Sequence, residues 1–229
     1  MRLAPYAIAA LMIIAAAADL RADEPPATRP GGLVRVDNSK VKLAYVRPGT
    51  DWSKYRSLKL EPLSIPVAVR DAAPPSGVHK KFRESFVLGD KEVAAIRDAY
   101  DKTMRDVLGK GGFTFVETPQ ADTLIVAAQV MDIKLNAPIE STRYNYSGRG
   151  RTYSQGGGSV VVGAVFADGA TGDVIAEAVD RSYPTPNVWR VNNAVSNLAE
   201  LRQAFARWAR QLRDKLNESR AAPPGPRSN

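Results

Sequence analysis

The chain has 229 residues, with Lys+Arg 32 against Asp+Glu 24, a formal net charge of +8 and a sequence pI near 9.8. It contains no cysteine and a single histidine, His79. That excludes disulfides, thiolate chemistry and a lipidated N-terminal cysteine, and it speaks against a zinc site. The positive excess favours anionic neighbours, but lysines and arginines are interspersed with acids rather than gathered in blocks, which is also the pattern of a solvated surface.

The first segment reads as a secretory signal. Arg2 precedes an unbroken apolar run, Tyr6 to Ala18, which is too short to span a bilayer, and small residues follow at cleavage-like positions. We place the signal peptide at 1–22, with cleavage after Ala22 or after Ala18. Residues 23–32 (DEPPATRPGG) have the composition of a flexible leader, and a proline-rich tail closes the chain at 218–229. Between them lies one domain, 33–217, without an internal repeat.

Within it, Leu58 and Leu60 alternate with polar neighbours in a short strand, whose central pairing Pro62 is expected to limit. Residues 66–89 read as a long surface connection. Asp90 is expected to cap a helix of about 90–110, whose apolar positions Val93, Ile96, Tyr100, Met104, Val107 and Leu108 share one face. Gly109, Gly111 and Gly112 end it. FTFVET follows as a short strand, and Leu124 to Leu135 as a longer interior strand. SVVVGAVFADGATGDVIAEAVDRSY reads as a hairpin turning at Asp168 to Asp173. The last element is a helix of about 193–217. Ala194, Leu198, Leu201, Phe205, Trp208, Leu212 and Leu216 lay an apolar seam along it, opposite Arg202, Arg207, Arg210 and Arg213. A sheet needs such a cover, so the seam is read as packing on a core rather than on a membrane. The expected fold is α+β: a single domain with a mixed, mostly antiparallel sheet of about five strands covered by two helices.

Gly31 to Ile65 carries a further signal. Gly32-Leu33, Asp37-Asn38-Ser39, and above all Tyr45-Val46-Arg47-Pro48-Gly49-Thr50-Asp51-Trp52-Ser53-Lys54-Tyr55 resemble the opening of the exported bacterial family catalogued as domain of unknown function 3313. The likeness runs on through Phe113, Glu117-Thr118-Pro119-Gln120-Ala121-Asp122, the Thr171-Gly172 hairpin and the tryptophan-bearing helix, over roughly 31–217. It implies a periplasmic or outer-membrane-associated α/β domain with no established catalytic residues. Members are often lipoproteins, and this chain lacks the cysteine that lipidation requires. On physical grounds the Pro-Gly-x-Asp block is turn chemistry, with Asp51 or Ser53 bonding nearby amides.

Few residues look like chemistry. His79 has no residue near it in the sequence to orient it as a base. Gly157-Gly158-Ser159 lacks the second half of a nucleophile elbow and precedes a strand. Asp168, Asp173, Glu177 and Asp180 crowd the hairpin; Asp173 with Glu177 would serve a glycan hydrolase if they faced one another. The stretch YNYSGRGRTYSQGGGS lacks the third glycine of a dinucleotide loop and the lysine of a phosphate loop, and it leads into a strand. Its Arg143, Tyr144, Tyr146, Arg149, Arg151 and Tyr153 remain as candidate binding residues, since arginine pairs with phosphate or carboxylate and tyrosine stacks on sugars or bases. We expect no cofactor, no metal and no catalytic residue. The expected role is a non-enzymatic binding or assembly module of the cell envelope, in the periplasm or at the outer-membrane periphery. Its partner would be an envelope protein or an anionic envelope component, with nucleic acid not expected. The alternatives are a polyanion-binding module or a cell-wall glycan hydrolase.

Overall fold

The computed structural model describes residues 25–70, 87–134, 153–155, 159–182, 189–191 and 194–221. In chain order the strands are β1 (Thr28–Arg29), β2 (Leu33–Arg35), β3 (Leu43–Val46), β4 (Ser57–Leu60), β5 (Thr114–Phe115), β6 (Thr123–Lys134), β7 (Tyr153–Gln155), β8 (Ser159–Asp168), β9 (Val174–Ser182) and β10 (Trp189–Val191). The helices are α1 (Val67–Arg70), α2 (Asp90–Gly109) and α3 (Ala194–Ala221), with a single 3-10 turn at Trp52–Lys54.

Eight strands form one open mixed sheet in the order β1-β2-β3-β9-β8-β6-β4-β5, and β7 pairs with β10 separately. The class is α+β, as the sequence predicts. The strand count exceeds the expected five because β1, β2 and β3 are two to four residues long, too short to display a period. The pairings are antiparallel except those of β4, which runs parallel to both β5 and β6. A parallel pair needs a crossover, and the stretch carrying α2 supplies the one between β4 and β5. β4 therefore has neighbours on both sides despite Pro62. The proline falls beyond the strand end, between Glu61, which donates to the Val126 carbonyl at 2.9 Å, and Ser64, which donates to that of Ala128 at 2.9 Å. No ladder bond needs its missing N–H.

Both long helices cover one face of the sheet. Val93, Ile96, Tyr100, Met104 and Leu108 of α2 and Leu201, Phe205 and Leu216 of α3 are buried with Leu58, Val126, Val130, Val162 and Ile175 of the sheet. Tyr100 meets Phe205 edge-on, ring centres 5.4 Å apart at 86°, a favoured aromatic geometry. The seams expected from the 3.6-residue period are the buried faces; Leu198, Val107, Trp208 and Leu212 pack at their margins. Three boundaries differ. The α2 cap is Gly89, with Asp90 the first helical residue, where its charge favours the helix N-terminus and takes a 2.8 Å hydrogen bond from Arg70. At the chain's end, α3 continues to Ala221 before the prolines, so 218–221 is helix rather than tail. Of the leader, Thr28–Arg29 is strand and Arg29 is buried.

Candidate functional site

β6 and β8 pair from Leu124↔Asp168 to Lys134↔Ser159. At that same end Val160 is paired with Ser182 of β9, from which the chain departs toward α3. The two connections starting there, 135–158 and 183–193, meet as an antiparallel pair: Trp189↔Gln155, Arg190↔Ser154 and Val191↔Tyr153. This β7–β10 pair is an arm separate from the eight-stranded sheet. Arg143, Tyr144, Tyr146, Arg149 and Arg151 lie outside the described residues, as does His79; of the candidate binding residues, Tyr153 is placed, at the first position of β7.

The Pro-Gly-x-Asp block is structural, as turn logic predicts. Gly49 has φ +74°, a conformation suited to glycine, and Thr50 returns its amide and hydroxyl to the Arg47 carbonyl. Asp51 accepts from the Ser53 amide at 2.9 Å and the Ser53 hydroxyl at 2.6 Å, capping the 3-10 turn. The Ser53 hydroxyl is the main cause that lowers the Asp51 pKa. The turn delivers Lys54 and Tyr55 to the β8–β9 hairpin. There both donate to Asp168, the Tyr55 hydroxyl at 2.8 Å. Asp168 also accepts from the amides of Ala170 and Thr171 at 2.9 and 3.1 Å. Burial alone would raise its carboxyl. The bonds from Lys54, Tyr55, Thr171 and Ala170 outweigh burial and hold it at about 2. Burial first, then the hydrogen bond to Asp168 and that carboxylate's charge, push the Tyr55 hydroxyl well above its usual range.

The four hairpin carboxylates do not converge. Asp180 lies on the helix face, where it accepts from the Trp208 indole at 2.7 Å and the Lys42 amide at 3.1 Å, with Arg207 3.6 Å away. Glu177, three residues earlier in the strand, points to the other face, as strand alternation dictates. There it pairs with Arg29, both side chains 5% exposed. Asp173 sits at the turn, 3.5 Å from Arg47. The two acids of the glycan-hydrolase alternative, Asp173 and Glu177, are each engaged with a separate arginine. No group of three or more His, Cys, Asp or Glu among the described residues is arranged to hold a metal ion. Arg29 is the residue that sequence reasoning misses here. It stands in a proline- and glycine-rich segment with no periodicity to mark it as interior. Glu177 carried a signal, an acid flanked by small apolar residues in a strand, which predicts a buried partner.

The fold is thus an α+β sheet with both long helices on one face, a hairpin tied to Lys54 and Tyr55, and a separate β7–β10 pair. The chain belongs to the DUF3313 family, described as proteins of unknown function, whose sequence model matches residues 32–212. No curated protein matches it. Among solved structures it is similar to a DUF330 protein from Xanthomonas campestris, at 11% identity and a TM-score of 0.45 over 76% of this chain and 91% of that one. It is similar also to PelC from Paraburkholderia phytofirmans, a dodecamer (8%, TM-score 0.38, 73% and 96%), and to a minor lipoprotein from Acinetobacter baumannii (13%, 0.34, 72% and 95%). No described helix is long and apolar enough to cross a membrane.

Proposed function

We propose that the chain is an exported, non-enzymatic module of the bacterial cell envelope that binds or assembles with another envelope component through the arm at the β6–β8 end of the sheet. The observation that carries this reading is the β7–β10 pairing. Adjacent antiparallel strands need only a two-residue turn, whereas here residues 135–158 intervene between β6 and β8. Long excursions on a rigid sheet are where binding residues are usually set, and a second connection supports this one. The export half of the proposal rests on the signal pattern of 1–22, with the single domain following the leader. It places the protein in the periplasm or at the outer-membrane periphery. Recovery of one defined partner from envelope extract by the full mature chain, and its loss when residues 141–152 are replaced by a Gly/Ser linker, tests the reading. Recovery unchanged by that replacement counts against the arm.

The composition of the arm favours one class of ligand. Arg143, Arg149 and Arg151 stand among Tyr144, Tyr146 and Tyr153, and no Asp or Glu occurs from Ser141 to Gln155. That pattern suits a polyanion, held by charge-assisted bonds and stacking. Binding to an anionic envelope polymer is then expected to fall steeply with salt, and Arg149→Ala/Arg151→Ala to flatten the dependence. Equal affinity of the double variant at low salt would remove this second reading.

A further inference from the structure

Three neighbouring strands carry two rows of residues on the face that the helices cover. In the first row Ala176 of β9 stands opposite Val46 of β3, which stands opposite Val34 of β2. In the second Ala178 stands opposite Ala44, whose carbonyl accepts from the Val36 amide at 2.9 Å. All six side chains are apolar, yet their cover runs out from β9 to β2. Ala176 is 4% exposed, Val46 is half-buried, and Val34 and Val36 are 41% and 40% exposed. On the opposite face of the same strands Leu33, Leu43 and Tyr45 are buried. An antiparallel sheet that turns one face to water sets polar residues on it. Here that face holds valine and alanine, and an open apolar strip rimmed by charge is the pattern of an interaction surface.

The strip forms a ledge beside α3, which meets β9 where Trp208 and Arg207 reach Asp180. From β3 to β1 is two interstrand steps, roughly 10 Å. A helix with its side chains is about 10–12 Å across. The ledge therefore has the width of one further helix in the layer that α2 and α3 form. Its small residues, Ala44, Ala176 and Ala178, let such a helix come close, and the valines supply apolar contact.

Charge decides what kind of helix fits. Strand alternation turns Lys42 to the side of Ala44, and Lys40 follows the hairpin tip two residues away. Both are exposed, and neither makes an ion pair among the described residues. The neighbouring acids are occupied: Asp180 by Trp208, Arg207 and the Lys42 amide, and Asp37 by Arg35, 3.5 Å away on the opposite face. The ledge thus presents uncompensated positive charge, which favours an acidic partner over a second copy carrying the same two lysines.

We propose that the ledge formed by Val34, Val36, Ala44 and Val46 docks one amphipathic helix of an acidic partner, apolar side against the strip and carboxylates beside Lys40 and Lys42. This is a helix-in-groove contact, separate from the arm and independent of what the arm binds.

Two synthetic helical peptides of roughly four turns, alike on a leucine and alanine side and bearing glutamates or lysines on the other, probe the ledge by NMR titration of the full mature chain. The glutamate peptide is expected to shift the amides of Val34, Val36, Ala44 and Val46. It is expected to bind about tenfold more tightly than the lysine peptide at low salt. Lys40→Glu/Lys42→Glu is expected to reverse that preference. Val34→Ser/Val36→Ser, at exposed positions, is expected to weaken both peptides by about tenfold. Equal affinity for the two peptides, no binding of the glutamate peptide, or shifts outside the ledge overturns the proposal. So does a ledge that answers to phosphatidylglycerol vesicles but to neither peptide, or one covered by concentration-dependent dimerisation. If a variant does not fold, the wild-type titration decides alone.

Discussion

Tyr55 donates its hydroxyl to Asp168 at 2.8 Å across 113 positions of sequence, tying the crossover between β3 and β4 to the turn between β8 and β9. Tyr55 is wholly buried, and its ring meets Trp52 edge-on with centres 6.1 Å apart. The bond joins a neutral donor to an ionised acceptor, the kind worth more than an amide pair. Tyr55→Phe keeps the ring and deletes the donor. It is expected to cost about 1.5–3 kcal/mol in urea unfolding, with the m-value unchanged. A cost below about 0.5 kcal/mol would mean that Lys54 and the turn amides hold Asp168 without help.

The same carboxylate sets an acid limit. Its folded pKa of about 2 lies below the ordinary 3.8, so the folded state binds its proton less tightly than the unfolded chain does. The stability Asp168 contributes is then fully present above about pH 4 and is lost as the pH falls toward 2. Partial screening of Lys54 by solvent holds the effect to about 1–2 kcal/mol. Unfolding free energies of the wild type and Asp168→Asn, measured from pH 6 to pH 2, are expected to converge at the acid end. Parallel curves would assign the acid sensitivity to other groups.

How far the fold was legible follows from the length of each signal. α2, α3, β6, β8 and β9 each run for nine residues or more, long enough to be read as elements, and the two helices were readable with their buried faces. β1, β2 and β3 have no period to show. They exist because β9 offers β3 a free edge, a tertiary fact that a window of sequence does not contain. The Pro-Gly-x-Asp block was legible as a turn, but not its purpose, since Asp168 lies far along the chain. The hairpin acids were legible as a cluster in sequence and dispersed in space, because the step from Glu177 to Asp180 is odd and sends them to opposite faces. The arm was readable as an excursion between two strands; its partner strand β10, only three residues long, was not.

Two glycines of the hairpin turn make a paired prediction. A Cβ on Gly169 would lie 2.5 Å from the Gln120 carbonyl oxygen, which accepts from the Thr123 amide, and 2.6 Å from the carbonyl oxygen of Thr123, the first residue of β6. Gly172 has open space but φ +75°, which costs an L-residue about 1–2 kcal/mol. Gly169→Ala is expected to destabilise by about 2–4 kcal/mol, the larger figure for steric reasons, and Gly172→Ala by about 1 kcal/mol for conformational ones. Gly172→Asn is expected to recover much of that loss, since asparagine tolerates the left-handed region. Chemical denaturation of the three variants checks the order, and equal costs at both positions would contradict the close approach of the turn to β6.

Asp180 gives the last test, because it couples the sheet to α3. Its carboxylate accepts from the Trp208 indole at 2.7 Å, and Trp208 packs on Phe205 with ring centres 6.0 Å apart. Asp180→Ala strands the half-buried indole N–H and frees Arg207, whose guanidinium lies 5.7 Å from the centre of the Trp208 ring. The cost is expected at about 1–3 kcal/mol, whereas Asp180→Asn keeps an acceptor and is expected to lose less than half of that. Trp208→Phe removes the donor from the other side. If the two residues act as one tie, the double variant Asp180→Ala/Trp208→Phe costs less than the sum of the single ones by about 0.5 kcal/mol or more in a double-mutant cycle. Strict additivity would show instead that α3 is held to the sheet by its apolar seam alone.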